Sequence, residues 1–144
     1  MKPEILLLVG LPGCGKTAYV DELRREGWEC FDDFKSEAIN NSPEFKMSSR
    51  FQSLLVRLRA GSRCAIADID FCRTDSRREA MDTLAATVPG VLIRCCFFAN
   101  DVQACERNIR RRDRDSLEED LRKLRAYSSD YLIPERANSR PVLG

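Results

Sequence analysis

The sequence predicts an α/β fold in which short buried strands alternate with helices around a parallel sheet. Three observations point there. Apolar runs of strand length recur at Glu4–Val9, Trp28–Phe31, Cys64–Ala67 and Gly90–Phe98. Stretches with helical spacing separate them, and a glycine-rich turn joins the first run to the first helix. At 144 residues the chain suits one domain with one core, read here as residues 1–144, with an arginine-rich lid around 107–116.

Each element has its own local reason. Glu4-Ile5-Leu6-Leu7-Leu8-Val9 has the length and branching of a strand buried on both faces. Thr17, Ala18, Val20, Asp21, Leu23 and Arg24 follow at helical spacing until Gly27 stops them. A short second strand ends at Asp32-Asp33. Ser42-Pro43 reads as N-cap and first helical residue, Phe51, Leu54, Leu55 and Leu58 supply the apolar stripe, and Gly61 closes the helix. The third strand runs into Asp68-Ile69-Asp70. Ser76 with Glu79 has the spacing of a capping box for a helix through Leu84. After the fourth strand, Asn100 or Asp101 caps a helix whose apolar side is Val102, Cys105 and Ile109. Ser116 with Glu119 forms a second capping-box pattern ahead of Leu117, Leu121 and Leu124. The tail from Tyr131 holds two prolines and leaves room for a short edge strand.

Composition narrows the functional classes. Lys and Arg total 24 against 23 Asp and Glu, a net charge of +1, so global electrostatics predicts neither a nucleic-acid coat nor a membrane-surface protein; only local patches could do either. No apolar run approaches the ~20 residues that span a bilayer, and the first run is too short and too close to the glycine-rich turn for a signal peptide. The expected location is the cytoplasm. Seven cysteines, with no Cys-x-x-Cys pair and with Cys64, Cys95 and Cys96 in apolar runs, fit reduced buried thiols and argue against a disulfide framework or zinc site. There is no histidine, so a general base has to be a carboxylate, Lys, Tyr or Cys.

Gly10-Leu11-Pro12-Gly13-Cys14-Gly15-Lys16-Thr17 is a complete Walker A pattern between a strand and a helix. Its glycines let consecutive N–H groups turn into one concavity, Lys16 reaches β and γ phosphates, and the Thr17 hydroxyl suits Mg²⁺. Gly10, Pro12, Gly13, Cys14, Gly15, Lys16, Thr17 and the adjoining Ala18 are therefore the candidate residues for binding ATP. The Cys14 thiol, beside Lys16 and a helix N-terminus, is either a small filler or a thiol of lowered pKa.

Ligands of open α/β sheets sit outside the carboxyl ends of the strands, where Asp32, Asp33, Asp68 and Asp70 fall. Asp68 is the natural acid for the metal site, with Asp70 the rival for that role and otherwise a substrate contact; either could instead cap a turn. Asp32 could orient or deprotonate an acceptor hydroxyl, or merely cap the segment that follows. Phe71, Cys72 and Arg73 line the acceptor pocket or only pack. Cys105 to Arg114 contains five arginines in eight residues, of which Arg107 and Arg111 share one helical face. They either close over the triphosphate, form a solvated face with Glu106–Arg110 pairing, or meet nucleic-acid phosphates.

Taken together these residues resemble the P-loop kinase group that includes polynucleotide 5′-hydroxyl kinases, zeta-toxin-like kinases and many small bacterial ATP-binding proteins. Gly10 to Thr17 matches the phosphate loop, and Phe31-Asp32-Asp33-Phe34-Lys35 is similar to the Arg-Asp-Asp-Tyr-Arg segment of the polynucleotide kinases. That likeness implies Asp32 as general base and Lys35 as a phosphate contact. Ala65-Ile66-Ala67-Asp68 looks like the family's third strand and acid, with Arg77 or Arg78 in the helix after it. Arg107-Asn108-Ile109-Arg110-Arg111 resembles its lid pattern, implying Arg107 near the nucleotide and Arg111 at the phosphates. The resemblance also implies a three-layer architecture with strand order 2-3-1-4-5. Lys35 stands where the family has Arg, which gives up planar bidentate recognition, and the loop after Asp68 is longer. The expected activity is ATP- and Mg²⁺-dependent transfer of a γ-phosphoryl group to a hydroxyl of a small molecule or nucleic-acid end. The rival is an ATP-binding regulatory or interaction module without transfer.

Overall fold

Because the first apolar run is buried on both faces, it has to lie inside the sheet, and it does. The computed structural model describes residues 2–31, 49–112 and 115–143. Along the chain it contains β1 (Glu4–Val9), α1 (Lys16–Arg25), β2 (Glu29–Phe31), α2 (Ser49–Arg59), β3 (Arg63–Ala67), a 3₁₀ turn (Ile69–Cys72), α3 (Thr74–Thr87), β4 (Leu92–Phe98), α4 (Val102–Arg112), α5 (Leu117–Ser128) and β5 (Ser139–Arg140). All pairings are parallel, and the order is β2-β3-β1-β4-β5. β1 is central, with Leu8 opposite both Ala67 of β3 and Cys96 of β4. The strand order reverses across β1, so its carboxyl end is the switch point where this class of sheet opens a crevice.

Alternation along β1 divides the layers. Ile5, Leu7 and Val9 join one cluster with Leu54 and Leu58 of α2, Leu84 of α3, Ile109 of α4 and Leu124 of α5. Leu6 and Leu8 face the other way, where Val20 and Leu23 of α1 pack with Ala65 and Ala67. Each fully buried Leu, Ile or Val among them contributes about 2 kcal/mol, so burial on two faces drives the three-layer arrangement. α1 stops at Gly27, whose φ of 94° suits glycine, while the Trp28 N–H closes the end on Leu23 O at 3.0 Å. At that edge the Arg63 guanidinium lies 4.8 Å from the Trp28 ring centroid. At the carboxyl ends of the inner strands the buried Tyr131 hydroxyl donates to Phe98 O, with Val9 O 3.1 Å away, tying the ends of β1 and β4 together.

Several local expectations are corrected. α3 begins at Thr74, not at a Ser76–Glu79 box: the 3₁₀ turn buries Phe71 and Cys72 and leads straight into the helix, and Arg77 anchors its start by donating to Phe71 O at 2.7 Å. Ser116 does sit at the N-cap of α5 but makes no side-chain cap bond. Its hydroxyl meets Asp120 Oδ2 at 3.2 Å, and Glu119 turns to Arg122 instead of back to the cap. Asp101 caps α4, its Oδ1 accepting from the Ala104 N–H at 3.1 Å. Cys95 and Cys96 are half-buried, whereas Cys64 is fully buried. The edge strand is Ser139–Arg140, and Pro141, lacking an N–H, ends it. The helix start at Ser42-Pro43 lies outside the described residues.

Candidate functional site

The turn after β1 is shaped by its own residues. Cys14 N–H donates to Leu11 O at 3.1 Å, and Gly13 and Gly15 take φ values of 82° and 98°, the left-handed region that glycine enters without strain. A Cβ on Gly13 would lie 2.5 Å from Cys105 O, so the missing side chain is what lets α4 back onto the loop. Asn108 fastens that contact by donating to Gly13 O at 2.8 Å and to Leu143 O at 2.6 Å. Leu143 in turn donates its N–H to Cys14 O at 3.0 Å, which lays the segment after β5 along the loop. Gly15 is the N-cap of α1 and provides no side-chain cap, so the first-turn amides of that helix face outward with their positive dipole end.

Beside this turn is a cavity of about 380 Å³. Pro12, Gly13, Cys14, Gly15, Lys16 and Thr17 form one wall, and Ala67, Asp68 and Ile69 after β3 form the second. The third wall comes from Arg112 of α4 with Asp120 and Lys123 of α5. Lys16 folds into the loop: its ammonium donates to Gly10 O, to Leu11 O at 3.2 Å and lies 3.6 Å from Cys14 Sγ. Asp68 is 5% exposed, and its Oδ1 accepts the Asp70 N–H at 2.8 Å. Buried thiols lie close to the loop: Cys14 within it, and Cys72 and Cys105 near enough to feel the Lys16 charge. Burial pushes Cys72 up to about 12, against the pull of the nearby Lys16 charge, and does the same to Cys105. Cys14 is itself buried at 1% exposure.

The other residues singled out by sequence are distributed unevenly. Gly10 is buried beneath the loop, where a Cβ would meet Cys14 Sγ and Phe98; Ala18 is exposed in the first turn of α1. Asp70 does not line the cavity: its Oδ1 accepts from the Tyr127 hydroxyl at 2.5 Å, and Arg73 approaches at 4.0 Å. Arg77 turns inward, 6% exposed and 5.0 Å from the Phe97 ring centroid, while Arg78 is exposed. Arg107 and Arg111 do share a face, lining an outer depression with Arg110. Arg111 also borders a smaller hollow with Gly13, Gly15, Asn108 and Leu143, and donates to Asn108 Oδ1. Of the described arginines in this stretch it is Arg112 that reaches the loop cavity. Asp32 and Lys35 lie outside the described residues, as do residues 113 and 114 of the arginine-rich stretch.

Sequence reasoning passed over Arg112, Asp120 and Lys123. The spacing Asp120, Lys123, Tyr127 is a polar helical stripe, which in a sequence looks like any solvated helix face. What gives it meaning is the burial of Leu121 and Leu124 on the flanking face, which sets the rotation of the helix and leaves Asp120 and Lys123 lining the loop cavity.

No protein-family model matches the chain, and no curated protein sequence matches it. Solved structures do share its fold. A gluconokinase from Sinorhizobium meliloti 1021 superposes with a TM-score of 0.53 at 15% identity, covering 97% of this chain and 81% of that one. The APE1195 structure gives 0.56 at 21% identity, covering 99% and 86%. A chain of the Pnkp1/Rnl/Hen1 RNA repair complex gives 0.49 at 14% identity over 94% of this chain, which spans 50% of the length of that one. At these identities the likeness is one of fold: the chain has a P-loop kinase-like three-layer α/β architecture. Among the described residues no helix is long and apolar enough to cross a membrane.

Proposed function

We propose that the protein is an ATP-binding P-loop kinase that moves the γ-phosphoryl group to a hydroxyl acceptor, a small molecule or a nucleic-acid end. One observation carries the reading: Lys16 and Thr17 of a complete Walker A turn share a cavity with the buried carboxylate of Asp68. Three cationic side chains, Lys16, Arg112 and Lys123, line that cavity with two carboxylates, Asp68 and Asp120, a combination suited to a polyphosphate with its divalent cation.

In this mechanism the Lys16 ammonium leaves the carbonyls of Gly10 and Leu11 and bonds the β and γ phosphates, joined by the amides at the start of α1. Thr17 and Asp68 offer hard oxygen donors on adjoining walls, a set that fits Mg²⁺. When bound, the ion offsets charge on the phosphate oxygens. Asp32, placed beside the acceptor by the resemblance, takes the hydroxyl proton as the new O–P bond forms and the bond to the β-phosphate oxygen breaks. Lys35, on the same segment, contacts acceptor or donor phosphate. Arg112, with Arg111 at the rim, spreads positive charge over the transferring group.

Calorimetry with ATP and product analysis over an acceptor panel test the proposal. Lys16→Ala is expected to lose phosphate binding, and Asp32→Asn to keep ATP affinity while slowing transfer by about 10²-fold or more. Tight ATP binding with no phosphorylated product across the panel would instead favour a nucleotide-sensing module. Equal losses of binding and turnover in Asp32→Asn would remove Asp32 as base.

A further inference from the structure

We propose that Lys123 of α5 contacts the terminal phosphate of the bound nucleotide, and that Asp70 and Tyr127 are positioning residues that hold α5 so that it can. The inference rests on the nucleotide reading above and extends it to residues that the motif does not contain.

The argument starts from helix geometry. Asp120, Lys123 and Tyr127 are three and four residues apart, so they form one stripe along α5. The first two line the loop cavity, which Lys16 and Asp68 also line. The third ends on the turn that follows Asp68: its hydroxyl donates to Asp70 Oδ1 at 2.5 Å. Asp70 in turn gives its N–H to Asp68 Oδ1 at 2.8 Å, so one chain of bonds leads from α5 to the proposed metal-site acid. Arg73 braces the junction from the outside, its guanidinium 4.4 Å from the Tyr127 ring centroid and 3.7 Å from Asp130. Leu121 and Leu124, on the face flanking the stripe, are buried in the core, which fixes the rotation of the helix. A cation on such a helix is preorganised over the loop, because burial and the Tyr127 bond have already restricted the element that carries it.

The ammonium is also weakly committed elsewhere. Lys123 lies 3.9 Å from Glu119, near the limit of an ion pair, with 46% of its side chain exposed. Glu119 already accepts from Arg122 with both oxygens at 2.6 Å. Among the described residues, the ion pair that a phosphate oxygen entering the cavity has to compete with at Lys123 is this long contact to a shared carboxylate. By contrast Arg107 and Arg110 point to the outer depression, away from the loop.

The test is calorimetric affinity of the full chain for ATP and ADP, each with Mg²⁺, in wild type, Lys123→Ala, Lys123→Arg, Tyr127→Phe and the double variant Lys123→Ala/Tyr127→Phe. Loss of one charge-assisted phosphate contact predicts that Lys123→Ala weakens ATP by about 10-fold or more and ADP by about 2-fold or less, with Lys123→Arg restoring most of the preference. Tyr127→Phe should reduce the ATP-over-ADP preference by about 3-fold alone and leave it unchanged once Lys123 is Ala, a dependence a purely structural hydrogen bond would not show. An unchanged ATP-to-ADP ratio in Lys123→Ala overturns the phosphate contact, and an equal effect of Tyr127→Phe in both backgrounds overturns the positioning role. If wild type binds both nucleotides, either failure leaves the nucleotide reading standing; if wild type binds neither, that reading falls and takes this inference with it.

Discussion

The turn after β1 and the arm formed by α4 and α5 wall the same cavity, yet they reach their geometry by different routes. The turn is eight contiguous residues whose shape follows from its own glycines and one turn hydrogen bond, Cys14 to Leu11. The arm contributes Arg112 and Lys123 from two helices, and their placement depends on Ile109, Leu121, Leu124 and the Tyr127–Asp70 bond. A site wall built from one stretch of chain is encoded locally; a wall built across elements is encoded in the core that orients them.

Substitutions can break this contrast, and the largest effect falls where the two walls meet. Gly13→Ala brings a Cβ within 2.5 Å of Cys105 O at a φ of 82°, and is expected to cost about 2–5 kcal/mol in urea denaturation from overpacking and backbone strain together. Gly90→Ala is the matched control, with a φ of 83° and nothing within 4 Å of the added carbon, and should show the strain alone. Equal losses at the two positions would mean that α4 does not press on the loop. Next in size is Asn108→Ala, which removes the bonds to Gly13 O and Leu143 O and should cost about 1–3 kcal/mol by the same measurement. Unchanged stability there would show the strap to be idle.

Raising the pH sharpens the comparison further. Unfolded thiols ionise above their ordinary value near 9, whereas Cys72 and Cys105 under the loop stay protonated until about 12. The folded state then holds more protons than the unfolded one, so stability falls as pH rises from 9 toward 12, by up to about 1.4 kcal/mol per pH unit for each thiol. Chemical denaturation at pH 8, 9 and 10 checks the sign, and Cys72→Ala should flatten the slope. The smallest effect belongs to the outer face of the arm: Arg107→Ala should change ATP affinity by less than about 2-fold and Arg112→Ala by about 5-fold or more, given what a charged phosphate contact contributes. The reverse ranking in a titration would move the nucleotide to the outer depression.

The same contrast explains what could be read in the sequence. The strand, turn and helix around residues 4–25 were legible because period, glycine spacing and flanking elements agreed, and Asp68 because a buried strand delivers it to the same sheet edge. The lid pattern places Arg111 at the phosphates and passes over Arg112, since the phase of α4 depends on how Cys105 and Ile109 sit in the core. The capping boxes at Ser76 and Ser116 show the converse, local patterns overruled by a 3₁₀ turn on one side and by an Asp120 contact on the other. Asp70, read as facing substrate, is engaged by a tyrosine 57 residues away, a partnership no local pattern encodes.

The stacking of Arg63 on Trp28 has an optical consequence. Trp28 is the sole tryptophan and immediately precedes β2, a strand two places from the phosphate-loop strand. Its emission is a built-in gauge of that distant sheet margin and of global unfolding. A nucleotide entering the crevice should leave it almost silent, so occupancy is better followed by heat or by a labelled ligand.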